Sequence, residues 1–233
     1  MRIDMRKNKD LRDINIVRNY LRNPHGSVLI SWGETKVICS AMVEDKAPPF
    51  LKGTGKGWIS AEYNMLPAST SSRKQRKTDG RGTEIQRLIG RSLRSVADLY
   101  LLEEKTIWID CDVIQADGGT RVACITGAFV ALYDAVDKML LNNEIENSPL
   151  RDFAAAVSIG IVGDEVLVDL CYEEDSNASA DMNVVMTEKG EFIEVQATGE
   201  ECPIKASNFH TMLDMSSEAI YKIIEIQKKA LGL

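Results

Sequence analysis

The chain has 233 residues, 44% of them hydrophobic, enough to bury a sizeable core in one large domain or two small subdomains. A formal net charge of −7 argues against a nucleic-acid partner on average, but the average hides segregation. From Arg73 to Arg94 eight basic residues oppose two acidic ones, and from Asp164 to Glu201 twelve acidic residues oppose Lys189 alone, a division suited to one face for a polyanion and another for a metal, solvent or a partner. The five cysteines (Cys39, Cys111, Cys124, Cys171, Cys202) are odd in number, form no C-x-x-C pair and read as reduced, mostly buried thiols of a cytoplasmic protein. The N-terminal Met-Arg-Ile-Asp-Met-Arg-Lys does not read as a signal peptide, and the most apolar run, Phe153 to Val162, is too short to span a bilayer, so no membrane partner is expected.

In chain order, strand-like runs fall at Ser27–Ser31, Lys36–Val43 and Trp58–Asn64, the first after the turn signal Asn23-Pro24-His25-Gly26. Residues 69–82 are polar, basic and aperiodic, and read as a mobile surface loop. Glu84–Tyr100 predicts an amphipathic helix whose apolar stripe is Ile85, Leu88, Ile89, Leu93, Val96, Ala97 and Tyr100, with Arg87, Arg91 and Arg94 on another face. A strand over Thr106–Ile114 is followed by a helix from about Thr126 to Leu141, apolar nearly all round and so expected to be buried against a sheet. Asn142–Leu150 is a polar connector and the one candidate subdomain boundary in a single domain spanning 1–233. Further strands are predicted near Ala154–Ile161, Glu165–Leu170, Asn183–Thr187 and Phe192–Gln196. A C-terminal helix starts between Ser207 and Ser216, runs to Leu231 and is closed by Gly232. Runs of strands followed by helices give an α+β fold in two similar halves.

Three features carry chemistry. Asp117-Gly118-Gly119-Thr120-Arg121 joins a strand to a buried helix: its glycines allow close backbone approach, Thr120 offers a hydroxyl and Arg121 a permanently charged fork suited to phosphate. The plain alternative is a tight turn with a surface arginine. Asp175 and Asp181 lie six residues apart and share no helix face; if the polar stretch between them turns the chain back, both can approach one Mg²⁺. The alternative is two solvated acids, and Asp169, Glu173 and Glu174 serve equally well on charge alone. The basic run Arg73–Arg81, continued by the helix arginines, is a candidate phosphodiester track without interleaved aromatics. Gly53–Gly57 fails as a P-loop because Lys56 precedes Gly57, and His25 with His210 makes neither a general-base nor a zinc case.

Gly82 to Gly127, Gly53 to Pro67 and Asp175 to Thr187 together resemble the bacterial ribonuclease PH family along essentially the whole chain. That resemblance implies a two-layered β/α fold with mixed sheets and a buried central helix, shared with exosome core subunits. It implies a phosphate-dependent 3′-to-5′ exoribonuclease acting on tRNA precursor 3′ ends and other single-stranded RNA 3′ tails. The reaction is reversible, with inorganic phosphate as co-substrate, Mg²⁺ as cofactor and nucleoside diphosphates as products, in a homohexameric ring built as a trimer of dimers. Residue by residue it implies phosphate binding by Arg81, Gly119, Thr120 and Arg121, catalysis and metal binding by Asp175 and Asp181, and RNA guidance by Arg73 and Arg76. The sequence departs from the family pattern at Met5, Ala68, Val122 and Cys124, in a shortened basic loop, and after Gln196. The family's relatives include catalytically silent subunits that only bind RNA; joint retention of Arg81, Gly119-Thr120-Arg121, Asp175 and Asp181 favours the enzyme.

Overall fold

The structure, a computed structural model, describes residues 2–76, 79–200 and 202–233. Lys77 of the basic run and Glu201 of the acidic one lie outside the described residues. Nine strands and four helices are assigned among them.

The first half is a five-stranded sheet in the order β1-β2-β3-β5-β4. Strands β1 (Ile14–Arg18), β2 (Gly26–Trp32), β3 (Thr35–Glu44) and β5 (Thr106–Gln115) are successive antiparallel neighbours. Strand β4 (Trp58–Met65) runs parallel to β5 because α1 (Gly80–Ser95) carries the chain back between them. The second sheet, β7-β6-β8-β9, is antiparallel throughout, so the expected mixed pairing holds for the first sheet only. Its strands are β6 (Ala154–Val162), β7 (Glu165–Val168), β8 (Ala180–Thr187) and β9 (Phe192–Gly199).

Helix α2 (Thr120–Leu141) packs on β2, β3 and β5 of one sheet and on β6 of the other, so the two β/α layers share it. That placement is why its sequence is apolar on all sides: fifteen of its residues, from Val122 to Met139, are buried. Helix α4 (Ala206–Leu231) covers β6, β7 and β8, begins one residue before the expected window and ends as predicted at Gly232, whose φ of +82° is the left-handed cap.

Three expectations change. Helix α1 starts at Gly80 rather than Glu84, because the Asp79 side chain accepts the Gly82 N–H at 2.6 Å and caps it. It stops at Ser95; Tyr100 lies in a separate 3₁₀ turn and is 59% exposed, so the apolar stripe ends at Ala97. Helix α2 starts at Thr120, six residues before the predicted Thr126, which places Thr120 and Arg121 in its first turn. Strand β1 and the four-residue helix α3 (Tyr172–Asp175) have no counterpart in the sequence reading.

Candidate functional site

The site is built where β5 enters α2. Gly118 and Gly119 both adopt left-handed φ, +72° and +65°. Gly119 is the N-cap of α2 and supplies no side-chain acceptor, so the first-turn N–H groups keep their hydrogen-bonding capacity and the positive end of the helix faces outward. The turn itself is held tightly. Thr35 Oγ1 donates to Gly118 O (2.7 Å) and accepts from Asp117 N (2.9 Å), and Arg12 Nη1 donates to Asp117 O (2.5 Å).

Arg12 is 8% exposed and is itself anchored by Asp169, which is fully buried. Asp169 takes Arg12 Nη2 at 2.7 Å, Arg12 N at 2.7 Å and Trp32 Nε1 at 2.9 Å. Arg2 donates to both oxygens of Glu174, each at 2.7 Å, and to the carbonyls of Val168 and Asp169. Burial alone would push the Glu174 carboxyl up, but the Arg2 hydrogen bonds hold it below the ordinary range. Asp169 and Glu174 are thereby committed to internal arginines and removed from the set of candidate metal ligands. Arg2 and Arg12 did not figure in the predicted site, and Asp169 and Glu174 figured only as acids interchangeable with Asp175 and Asp181 on charge, although a lone aspartate inside the apolar run Val166–Leu170 was a visible signal.

These anchors fix α3, which carries the chain across β6 from β7 to β8. Asp175 ends α3 and Asp181 is the second residue of β8, opposite Gly160. The intervening residues do turn the chain back, through Ala178 N to Asp175 O (3.3 Å) and Ser179 N to Ile161 O (2.8 Å). Asp181 is half-buried, and its carboxyl is raised by burial first and then by the like charge of Asp175 and Glu200, with Arg121 opposing. The Asp175 carboxyl is raised by desolvation on its protein side, opposed by Arg81, Arg121 and Arg12. The charge of Arg121 lowers both carboxyls, and that of Arg81 lowers Asp175.

Arg121 is 17% exposed at its side chain and is steadied by Gln196 Oε1 at 2.9 Å and Glu84 Oε1 at 3.4 Å, while Gln196 Nε2 donates to the same Glu84 oxygen at 3.1 Å. Gln196 and Glu84 are a second set of positioning residues that sequence reasoning missed. Beside the turn lies a cleft of about 670 Å³ lined by Tyr63, Lys74, Arg76, Asp79, Arg81 and Asp112 among others. Arg81 and Arg76 thus face one opening; Arg73 is exposed and outside its lining.

Arg87 is exposed and stays available to the basic track, but Arg91 and Arg94 are engaged by protein partners. Arg94 stacks on the Trp58 ring at 4.2 Å and donates to Ile59 O at 2.8 Å, and Arg91 pairs with Glu194. The cysteines stay free; Cys39, Cys111 and Cys124 are buried, but Cys171 is half-buried and Cys202 exposed. The contact with Cys111 and then burial push the Cys39 thiol up, and burial first pushes up that of Cys124. No group of three or more His, Cys, Asp or Glu that could hold a metal occurs among the described residues. Asp175 and Asp181 are nevertheless hard oxygen donors of the kind Mg²⁺ takes.

The family model described as "3' exoribonuclease family, domain 1" matches residues 10–136, and "3' exoribonuclease family, domain 2" matches residues 152–219. A curated Ribonuclease PH from Bacillus cereus (strain AH820) is 53% identical over 238 residues, covering 100% of this chain and 97% of that one. Rice (Oryza sativa) Rrp46 superposes with a TM-score of 0.82 at 20% identity, covering 99% of this chain and 100% of that one. The Archaeoglobus fulgidus exosome with RNA bound to the active site has a TM-score of 0.82 at 22% identity, covering 96% of this chain and 91% of that one. At full-length identity of this order to a curated ribonuclease PH, and with both family domains matched in sequence order, the chain belongs to the ribonuclease PH group of the 3′ exoribonuclease family.

Proposed function

We propose that the chain is a phosphate-dependent 3′-to-5′ exoribonuclease that trims the 3′ ends of tRNA precursors, releasing nucleoside diphosphates, with Gly119, Thr120, Arg121 and Arg81 holding the attacking phosphate. What supports the site assignment is the N-terminus of α2, which has no side-chain cap and carries Thr120 and Arg121 in its first turn, together with the pull of Arg121 on both the Asp175 and Asp181 carboxyls.

The chemistry follows from the charges. Phosphate and the terminal phosphodiester are both anions, and in-line attack requires them close together and aligned. Arg81, Arg121 and the α2 N–H groups neutralise and orient the attacking phosphate. An oxygen of that phosphate forms a bond to the terminal phosphorus, and the bond to the 3′ oxygen of the preceding nucleotide breaks. The 3′ oxygen leaves with a proton and the departing nucleotide carries two phosphates. A phosphoanhydride replaces the phosphodiester, so the reaction runs backwards when diphosphate is abundant. Asp175 and Asp181 would hold Mg²⁺, which would offset charge on the scissile phosphate and the leaving oxygen. Arg76 and Arg73 guide the RNA backbone toward the cleft; as phosphate contacts they carry no base identity. The chain works in the cytoplasm as a single ribonuclease PH domain assembled into a homohexameric ring. No helix among the described residues is long and apolar enough to cross a membrane.

The test is product analysis on a short RNA with a single-stranded 3′ tail and Mg²⁺, with and without inorganic phosphate. Nucleoside diphosphates that appear only with phosphate are expected. Monophosphates without phosphate would overturn the chemistry, and RNA binding without release would move the chain to a silent ring subunit.

A further inference from the structure

Tyr63 lies in the middle of β4, 6% exposed, packed in the core and among the residues that line the cleft. Its oxygen is 3.0 Å from Thr120 Oγ1, and either hydroxyl can be the donor. Among the described residues this is the one hydrogen bond recorded for either hydroxyl. Thr120 is the first residue of α2 and sits between the uncapped Gly119 and Arg121.

The direction of the contact decides what Thr120 can do. A threonine hydroxyl has one proton and two lone pairs. The ionised oxygens of a bound phosphate accept hydrogen bonds and give none, so Thr120 serves those oxygens only by donating to them. It has a proton free for that purpose only when Tyr63 is the donor in their shared bond. Resting on the phosphorolytic reading of this site, we propose that Tyr63 is a positioning residue for the attacking phosphate: its phenolic proton goes to Thr120 Oγ1 and turns the threonine O–H toward the anion at the N-terminus of α2. Burial first, and then the neighbouring Cys124, push the Tyr63 phenol up to about 12, while the Thr120 hydrogen bond, Arg81 and Arg121 pull the other way without prevailing. Tyr63 therefore keeps its proton across the neutral range, and the relay Tyr63 O–H to Thr120 O–H to phosphate keeps one direction. The core packing of the ring fixes where the phenol oxygen sits, so orienting Thr120 needs no reorganisation when phosphate arrives.

The experiment starts from wild-type phosphate-dependent release of nucleoside diphosphates; absence of that activity defeats the phosphorolytic reading and not the relay. With activity in hand, Tyr63→Phe, Thr120→Val, Thr120→Ser and the Tyr63→Phe combinations are compared for phosphate KM, RNA KM, kcat and melting temperature. Loss of one oriented hydrogen bond is expected to raise phosphate KM about three- to tenfold in Tyr63→Phe, with kcat within about twofold and RNA KM unchanged. On the Thr120→Val background the same change adds less than about 1.5-fold, because the group it orients is gone, and on Thr120→Ser the penalty returns. The proposal is overturned by an unchanged phosphate KM, whatever the melting temperature does. It is overturned equally by the same factor on the Thr120→Val background, or by RNA KM rising in step with phosphate KM, since each marks a loosened cleft and not an oriented hydroxyl.

Discussion

Gly118→Ala tests whether the phosphate turn and the carboxylate arm are packed as one unit. Gly118 has φ of +72°, and a Cβ there would lie 2.7 Å from Leu170 O, 2.8 Å from Cys171 C and 2.9 Å from Tyr172 N. All three are backbone atoms of the segment that leads into α3, so no side chain can swing aside. The turn cannot recoil either, because Thr35 grips Gly118 O and Asp117 N while Arg12 grips Asp117 O. A left-handed φ costs an alanine about 1–2 kcal/mol, and overpacking adds about 1–3 kcal/mol, so a loss of about 2–5 kcal/mol is expected. The relief route is an outward shift of Tyr172–Asp175, and a misplacement of about 1 Å at a reacting centre can cost on the order of 100-fold in rate. Gly53→Ala is the control: its φ is +78° but nothing lies within 4 Å of the added carbon, so it should show backbone strain alone and full kcat. Denaturant unfolding and steady-state phosphorolysis of all three proteins read both effects. If Gly118→Ala loses no more stability than Gly53→Ala and keeps its kcat, the packing argument is wrong.

Arg121→Ala should abolish phosphorolysis while leaving the fold and RNA binding intact, because its side-chain partners are Gln196 and Glu84 at the site's edge; unchanged turnover would refute the phosphate role. Asp181→Asn should remove activity and also stabilise the protein at neutral pH. Burial and the charge of Asp175 raise the folded Asp181 pKa above 3.8, so the folded state binds the proton more tightly than the unfolded chain and stability falls as pH rises through that window. The gain from Asp181→Asn should therefore be larger at pH 7 than near pH 4, and unfolding curves showing the reverse order would refute it. Met5 holds φ of +61° at 83% exposure, so Met5→Gly should add about 0.5–1 kcal/mol by relieving left-handed strain, net of the glycine's extra unfolded-state freedom; an unmoved denaturation midpoint counts against that strain.

The regular elements were legible because burial has a period. Strands β2, β3, β4 and β5 and the apolar α2 follow from alternation and from an all-round apolar run. The start of α2 was misplaced for a reason tied to the site itself. Helix starts announce themselves through Ser, Thr, Asp or Asn caps, and Gly119 offers none. An N-terminus without a capping side chain lacks the residue that would have marked it. The same reasoning explains the missed partners. Arg12 and Asp169 are separated by 157 positions, and Arg2 and Glu174 by 172, so no local pattern links them. Lone charges in such places read as solvated, whereas in the fold Asp169 is fully buried because Arg12, Arg6 and Trp32 satisfy it. Arg91 and Arg94 failed in the opposite sense: periodicity assigned them one face with Arg87, but Trp58, Ile59 and Glu194 already engage these two. Spacing singled out Thr120 and Arg121, and Asp175 and Asp181 as one option among several acids, because these proposed substrate-facing groups sit at breaks in regular structure. The groups that hold those four in place come from distant strands and from the chain's first residues, and only the closed fold brings them to the same turn.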